Sequence, residues 1–245
     1  MARLDRNRGM FFGSWTGEPI AQAASATVSG TGITAATVTA STFAGQVSKS
    51  GKYIFSYDGT NWKLNGNNVT LNDYGISVTG TAVSGDTITV DYTKASSGWE
   101  AIGKDNDDLS KEMNPDTESG KNVLGESTFT HSGYEPQVDV DPYYMDPDRY
   151  MYAHMLECAL QEKFGEADLL GKFAEAFFTT VNAETKTMTG YCYVRDAWFV
   201  PQSVGGDTSG YAIPYTITPV GAMVKKNISY SMETNEATIT EISAG

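Results

Sequence analysis

Alternation of apolar and polar residues with a period of two is the feature that most restricts this 245-residue chain. Tyr53, Phe55 and Tyr57 are separated by polar neighbours, with Ile54 the exception, and Ile88, Val90 and Tyr92 alternate with Thr87, Thr89 and Asp91. A period of two places every second side chain on one face of a strand, so these runs predict strands with one face in a core. Asp58-Gly59, Asn65-Gly66 and Gly85-Asp86 supply the turns between them. Further on, the segments 173–181, 188–200, 213–220, 223–230 and 237–242 read as strand after strand. Tyr191, Tyr193 and Phe199 face one way and Cys192, Val194 and Trp198 the other, so this sheet is expected to be covered on both sides. The expected class is mainly β with one α-helix: packed β-sheets of a sandwich or barrel-forming type plus a small all-β domain.

Four segments follow from composition. Residues 1–19 form a short arm with Arg3, Arg6 and Arg8 and the aromatics Phe11, Phe12 and Trp15. Residues 20–95 are rich in Thr, Ser, Gly and Asn and read as the small β unit, with Trp62, Leu64, Leu71 and Tyr74 as its expected core. Residues 96–126 are mostly polar and acidic, and the remainder holds most of the apolar mass.

The one helix expected from the sequence covers 146–164. Asp146 suits its cap, Pro147 its first position, Asp148 the positive end of its dipole and Gly165 its end. Its polar stripe is narrow, His154, Glu157 and Gln161, while Met151, Tyr152, Met155, Leu156, Cys158, Ala159 and Leu160 fill the rest. Such a helix is normally buried on more than one side. Its own sheet accounts for one side, and a second subunit is the expectation for the other.

Charge restricts function. Between Glu100 and Asp168, 17 acids stand against 5 bases, which is −12 of the chain's net −13. Affinity for phosphate comes from Lys and Arg releasing counterions, so the chain is not expected to grip nucleic acid. No apolar run approaches the roughly 20 residues of a membrane helix, and residues 1–8 do not read as a signal peptide, which predicts folding in the cytosol.

Chemistry is sparse. His131 and His154 are the only histidines, and neither has metal-ligand spacing. Phosphate-cradling and nucleophile-elbow motifs are missing. Cys158 and Cys192 read as buried reduced thiols. The densest carboxylate run is Asp139-Val-Asp141-Pro-Tyr-Tyr-Met-Asp146-Pro-Asp148. Paired carboxylates serve glycoside hydrolysis or calcium binding, but here two share a strand face and two open a helix. No catalytic residue, cofactor or metal ligand is expected. Trp62 with its neighbouring tyrosines would suit a sugar platform, although core is the simpler role.

The segment 104–126 is too long for an ordinary connection. Leu109, Met113, Val123 and Leu124 are spaced for an extended arm that docks on a neighbour, and Lys104, Lys111 and Lys121 among the acids suit ion pairing between subunits. Here the chain resembles the major tail tube proteins of long-tailed phages. The likeness rests on Gly98-Trp-Glu-Ala-Ile-Gly-Lys-Asp-Asn-Asp-Asp-Leu-Ser-Lys-Glu-Met-Asn-Pro-Asp-Thr-Glu118, Lys121-Asn-Val-Leu-Gly-Glu126, Gly133-Tyr-Glu-Pro136 and Val140-Asp-Pro-Tyr-Tyr144. It covers 96–245 well and 1–19 loosely. Residues 33–93 separately resemble a small β module found in phage virion proteins, through Tyr57-Asp-Gly-Thr-Asn-Trp62, Asp73-Tyr-Gly-Ile-Ser-Val-Thr-Gly80 and Gly85-Asp-Thr-Ile-Thr-Val-Asp-Tyr92.

The resemblance implies two packed sheets flanked by a helix, hexameric rings whose inner strands join into a barrel, and stacking of rings into a conduit for DNA ejection. It implies a structural protein of the virion tail, assembled in the host cytoplasm, with the small module outside the tube. Partners would be further copies, a tape measure protein and a tail terminator, with DNA as passing cargo. Subunit contacts are then expected at Arg3, Arg6 and Arg8, at Asp105, Asp107, Asp108, Leu109, Lys111, Glu112, Met113, Lys121, Leu124 and Glu126, and at Met151 and Met155. Asp139, Asp141 and Asp196 are the residues expected to line the lumen. The alternatives are another self-assembling tube or baseplate component, or a carbohydrate-binding adhesin acting through 20–95.

Overall fold

The computed structural model describes residues 9–146, 149–206 and 208–242. The chain forms two compact units, one of Met1–Glu18 with Gly98–Gly245 and one of Pro19–Ser97. Strand β1 (Gly9–Ser14) opens the larger unit before the chain enters the smaller.

The small unit contains β2 (Ala23–Ser29), β3 (Ile33–Val38), helix α1 (Ala40–Ala44), β4 (Gly51–Tyr57), β5 (Trp62–Leu64), β6 (Asn67–Val69), β7 (Ile76–Gly80) and β8 (Thr87–Thr93). A five-stranded sheet, ordered β2-β8-β4-β5-β6, accompanies a β3–β7 pair. The alternation of the sequence is realised directly: Phe55, Ile88, Val90 and Tyr92 are buried, while Ile54 is exposed on the other face. The centre of this core is Phe43 of α1, fully buried and in ring contact with Tyr53, Phe55, Tyr74 and Tyr92. Leu64 and Leu71 are buried as expected, whereas Trp62 and Tyr74 are only partly so. Asp86 ties the two sheets together. Its buried carboxylate accepts from the backbone N–H groups of Thr31 (2.9 Å), Gly32 (3.2 Å), Ile33 (3.1 Å) and Val83 (3.0 Å). Ile20 and Ser96 exchange backbone hydrogen bonds of 2.8 and 3.1 Å, so the ends of the unit meet.

In the large unit β9 (Glu100–Ile102), β10 (Lys111–Glu112), β11 (Pro115–Lys121), β12 (Ser127–Tyr134) and β13 (Gln137–Val140) come next. Helices α2 (Tyr152–Leu160) and α3 (Glu166–Leu169) lead into β14 (Leu170–Asn182), β15 (Thr187–Pro201), the short β16 (Gly205–Gly206) and β17 (Tyr211–Ala212), then β18 (Tyr215–Ser231) and β19 (Glu236–Thr240). The pairing β18-β15-β14-β1-β9-β19 returns to β18, so six antiparallel strands close a circuit within one chain. Strands β13 and β10 extend the sheet from β18.

Two cores sit on opposite faces of this sheet. Phe12, Ala174, Ala176, Phe178, Cys192, Ile228, Tyr230 and Ala237, with Trp99 just before β9, fill the inside of the circuit. Their sequence neighbours Phe11 and Phe173 belong to the other core, with Val138, Val140, Phe199, Tyr215, Ile217 and the helix residues Met151 and Met155. The same strand β15 therefore buries Cys192 inward at one end and Phe199 outward at the other, which is why neither of its faces reads as polar.

Several expectations are corrected. The helix expected over 146–164 is the shorter α2, and α1 and α3 add two more where the sequence predicted one helix in all. Asp146 lies ahead of α2 and pairs with Lys104 at 3.7 Å instead of capping the helix, and Met151 occupies the cap position. Pro147 and Asp148 lie outside the described residues. Glu162, in the left-handed region at φ 51°, ends α2, and the Lys163 N–H reaches back to the Cys158 carbonyl at 3.0 Å. Gly165 instead precedes α3. The two strands expected over 213–220 and 223–230 are one continuous β18, which bulges opposite Arg195 and passes Gly221 at φ 71°. The 104–126 excursion is not a single extended arm: it contains β10 and all of β11.

Candidate assembly surfaces

The excursion divides into a half fastened to its own unit and a half that stands free. Asp105 forms an ion pair with Arg149, and both side chains are largely buried. Leu109 packs against the outer core. Lys111 pairs with Glu175, and β10 adds to β13 in the register Lys111↔Val138. Asn114, at φ 39°, then turns the chain, its carbonyl accepting from the Glu135 N–H at 3.1 Å and its side chain donating to the Glu135 carbonyl at 3.2 Å. Asp105, Leu109 and Lys111 were expected at a subunit contact. Their partners lie in their own chain, because each sits on a segment that lines the outer core. Met151, at the cap of α2, and Met155, within it, are corrected for the same reason: both are fully buried in the outer core. Arg3, Arg6 and Arg8 lie outside the described residues.

From Pro115 to Tyr134 no residue is buried. Strands β11 and β12 pair only with each other, and every residue of both is exposed except Gly133. The tip is held by Asn122, whose side-chain oxygen accepts from the N–H groups of Leu124 (3.0 Å) and Glu126 (2.9 Å) while its amide donates to the Glu126 carboxylate at 2.6 Å. Gly125, at φ 80°, supplies the left-handed residue that this turn requires. Apolar side chains are nonetheless displayed: Val123 at the tip is fully exposed, Leu124 is 81% exposed and Phe129 is 72% exposed. Met113, Lys121, Leu124 and Glu126, all expected at a contact, are exposed, as are Asp107, Asp108 and Glu112. Phe129 was missed, because a single aromatic between threonines gives no sign of which way its strand faces.

A buried polar network braces the base of this region. The Glu100 carboxylate accepts from the Met151 N–H at 2.8 Å and from the Tyr143 hydroxyl at 3.4 Å. Burial pushes its pKa above the ordinary glutamate range, against the opposing pull of the Met151 N–H and the nearby Arg149. Arg149 lies over the Tyr143 ring at 4.6 Å, and Glu100 is the main group holding its guanidinium charged despite burial. The sequence offered Glu100 as one acid among many.

The residues expected to line a lumen lie on β13, just beyond it, and on β15. Asp139 accepts from Thr216 at 2.9 Å and from Gln137 at 2.8 Å on the sheet extension. Asp141 is exposed just beyond β13, and Asp196 pairs with Lys172. His154 contacts the Asp168 carbonyl at 2.7 Å and the Trp15 ring, and His131 contacts the Asp116 carbonyl at 3.2 Å. Among the described residues no three His, Cys, Asp or Glu side chains gather where they could hold a metal, and no helix is long and apolar enough to cross a membrane. Both cysteines are buried and unpaired. Trp62 tilts against Tyr57 at 5.2 Å, half-buried on the small core. No protein-family model, no curated protein and no solved structure matches the chain.

Proposed function

We propose that this protein is a structural subunit that assembles with copies of itself into stacked rings, as the tail tube of a long-tailed phage. The observation that carries the reading is the β11–β12 hairpin, braced at its base and bare on both faces and both edges. A lone two-stranded hairpin is marginal in water, and open strand edges are templates for pairing with another chain. The large unit closes its other long strands into a circuit. Among the described residues its hairpin is the longest strand pair outside that circuit and so the one best placed to join between copies, and contacts between unlike surfaces propagate into rings or stacks. The segment Lys121-Asn-Val-Leu-Gly-Glu126, one of those on which the tail-tube resemblance rests, forms the hairpin tip.

The purified full-length chain is expected to form hollow filaments of even diameter in negative-stain images, and larger species with rising concentration in sedimentation velocity. A chain that stays monomeric at high concentration would sink the reading. The small unit fits a decorating role, since its ends meet at Ile20 and Ser96 and it leaves the strand circuit of the large unit intact.

A further inference from the structure

The outer face of β14, β15, β18 and β19 has features that neither core uses. Cys192 points into the strand circuit, so its neighbours Tyr191 and Tyr193 point out of it. There Phe177 stacks on Tyr191 at 5.6 Å and meets Tyr193 edge-on, and the Lys225 ammonium lies 4.5 Å from the centre of the Tyr191 ring. Beside this trio opens a cleft of about 590 Å³ lined by Thr179, Thr189, Tyr191, Lys225, Asn227 and Thr238, among others. Lys225 is the one charged side chain among the lining residues, and among the described residues it has no carboxylate partner. The cleft thus has one aromatic wall, Tyr191, with a hydroxyl rim and a single cation, and Phe177 and Tyr193 continue the aromatic surface beyond its edge.

The hairpin tip is complementary to it. Val123 and Leu124 are apolar and uncovered, Glu126 stands two residues on, and the hairpin carries Asp116, Glu118 and Glu126 against Lys121. We propose that the hairpin tip of one copy seats in this cleft of a second copy, with Val123 and Leu124 against the Phe177–Tyr191–Tyr193 face and Glu126 meeting Lys225. The inference rests on the self-assembly reading and names the surface that receives the hairpin. The hydroxyls of Thr189 and Thr238 at the rim donate to the carbonyls of the tip turn, and the cleft is of a size that holds a short turn. Tip and cleft are different surfaces, so each copy offers one of each and the contact repeats indefinitely.

Charge reversal in the full-length chain tests this. Glu126→Lys and Lys225→Glu are each expected to raise the concentration needed for assembly about tenfold, as for loss of a close interfacial charge pair. The double variant is expected to recover most of that loss. Glu126→Lys also removes a hydrogen bond within the tip, but damage there is not repaired by a change on β18, so recovery separates docking from local disorder. A second measurement mixes a Leu124→Cys chain with a Thr238→Cys chain under mild oxidation. A disulfide between the two is expected, because the native cysteines are buried and do not compete. If the wild type assembles while the single variants assemble equally well, or the double fails to recover, or the mixed disulfide does not form, the docking is overturned and the tube reading stands. If the wild type never assembles, both are overturned.

Discussion

The strand circuit and the hairpin are both antiparallel β within one unit, and they solve opposite problems. In the circuit every strand has neighbours, and residues from both faces are buried, Phe12 and Cys192 on one side and Phe173 and Phe199 on the other. In the hairpin each strand has one neighbour and no residue is buried. The difference shows where stability comes from. Backbone hydrogen bonds exist in both, and they contribute modestly once exchanged against water. Apolar burial exists only in the circuit. The hairpin keeps its shape through local devices, the Asn122 turn and the Asn114–Glu135 clasp, and its apolar side chains remain available to a partner.

That contrast can be broken from the circuit side first. Phe199→Ala leaves a cavity where Phe199 meets Trp15 and Tyr215. A loss of about 3–5 kcal/mol is expected in denaturant unfolding. Next, Gly190→Ala places a methyl 2.0 Å from the Phe177 carbonyl, a backbone atom that cannot move aside without shifting β14. A loss of about 2–3 kcal/mol is expected by the same measurement. Replacing 116–133 by a short turn is the sharpest comparison: assembly is expected to vanish while the thermal unfolding of the large unit hardly moves. A large drop in melting temperature would show that the hairpin supports its own unit.

The buried network gives a smaller effect with a definite sign. Glu100 has its folded pKa raised, mainly by burial, so the folded state holds that proton more tightly than the unfolded state. Its contribution to stability is greatest below the ordinary glutamate pKa and falls as pH rises through the raised folded value. Glu100→Gln can still accept from the Met151 N–H and is expected to flatten this part of the pH profile. In the small unit Asp86 runs the other way. The Val83 N–H, joined by those of Gly32, Thr31 and Ile33, holds its pKa below the usual range. Its contribution is present above the ordinary aspartate pKa and lost as pH falls through the lowered one, a dependence that Asp86→Asn should abolish. Smallest of all, Phe129→Ser should change unfolding free energy by less than about 0.5 kcal/mol, while raising the concentration needed for assembly in sedimentation velocity.

Much of the fold was legible because β alternation is local. Phe55, Ile88, Val90 and Tyr92 announced their buried face, and Cys192 against Phe199 announced a sheet with two. The helix was read too long because capping residues do not reveal where a chain must break to follow a core. Asp146 found Lys104 instead of a helix end, and the left-handed Glu162 stopped α2 early. The loop residues could not be sorted by sequence, since Leu109 and Leu124 look alike there. One meets the outer core and the other meets solvent.

By itself, then, the sequence determined a mainly β chain, an alternating small unit and an acidic excursion too long to be a mere connection, because each of these is written in spacing and composition. Only the tertiary structure decided which strands close the circuit, that Asp105, Lys111, Met151 and Met155 are held in their own unit, and that β11 and β12 are left bare. The physical reason is that pairing across more than a hundred residues depends on which edges and faces meet in space, and a local pattern fixes a strand's two faces without fixing what covers them.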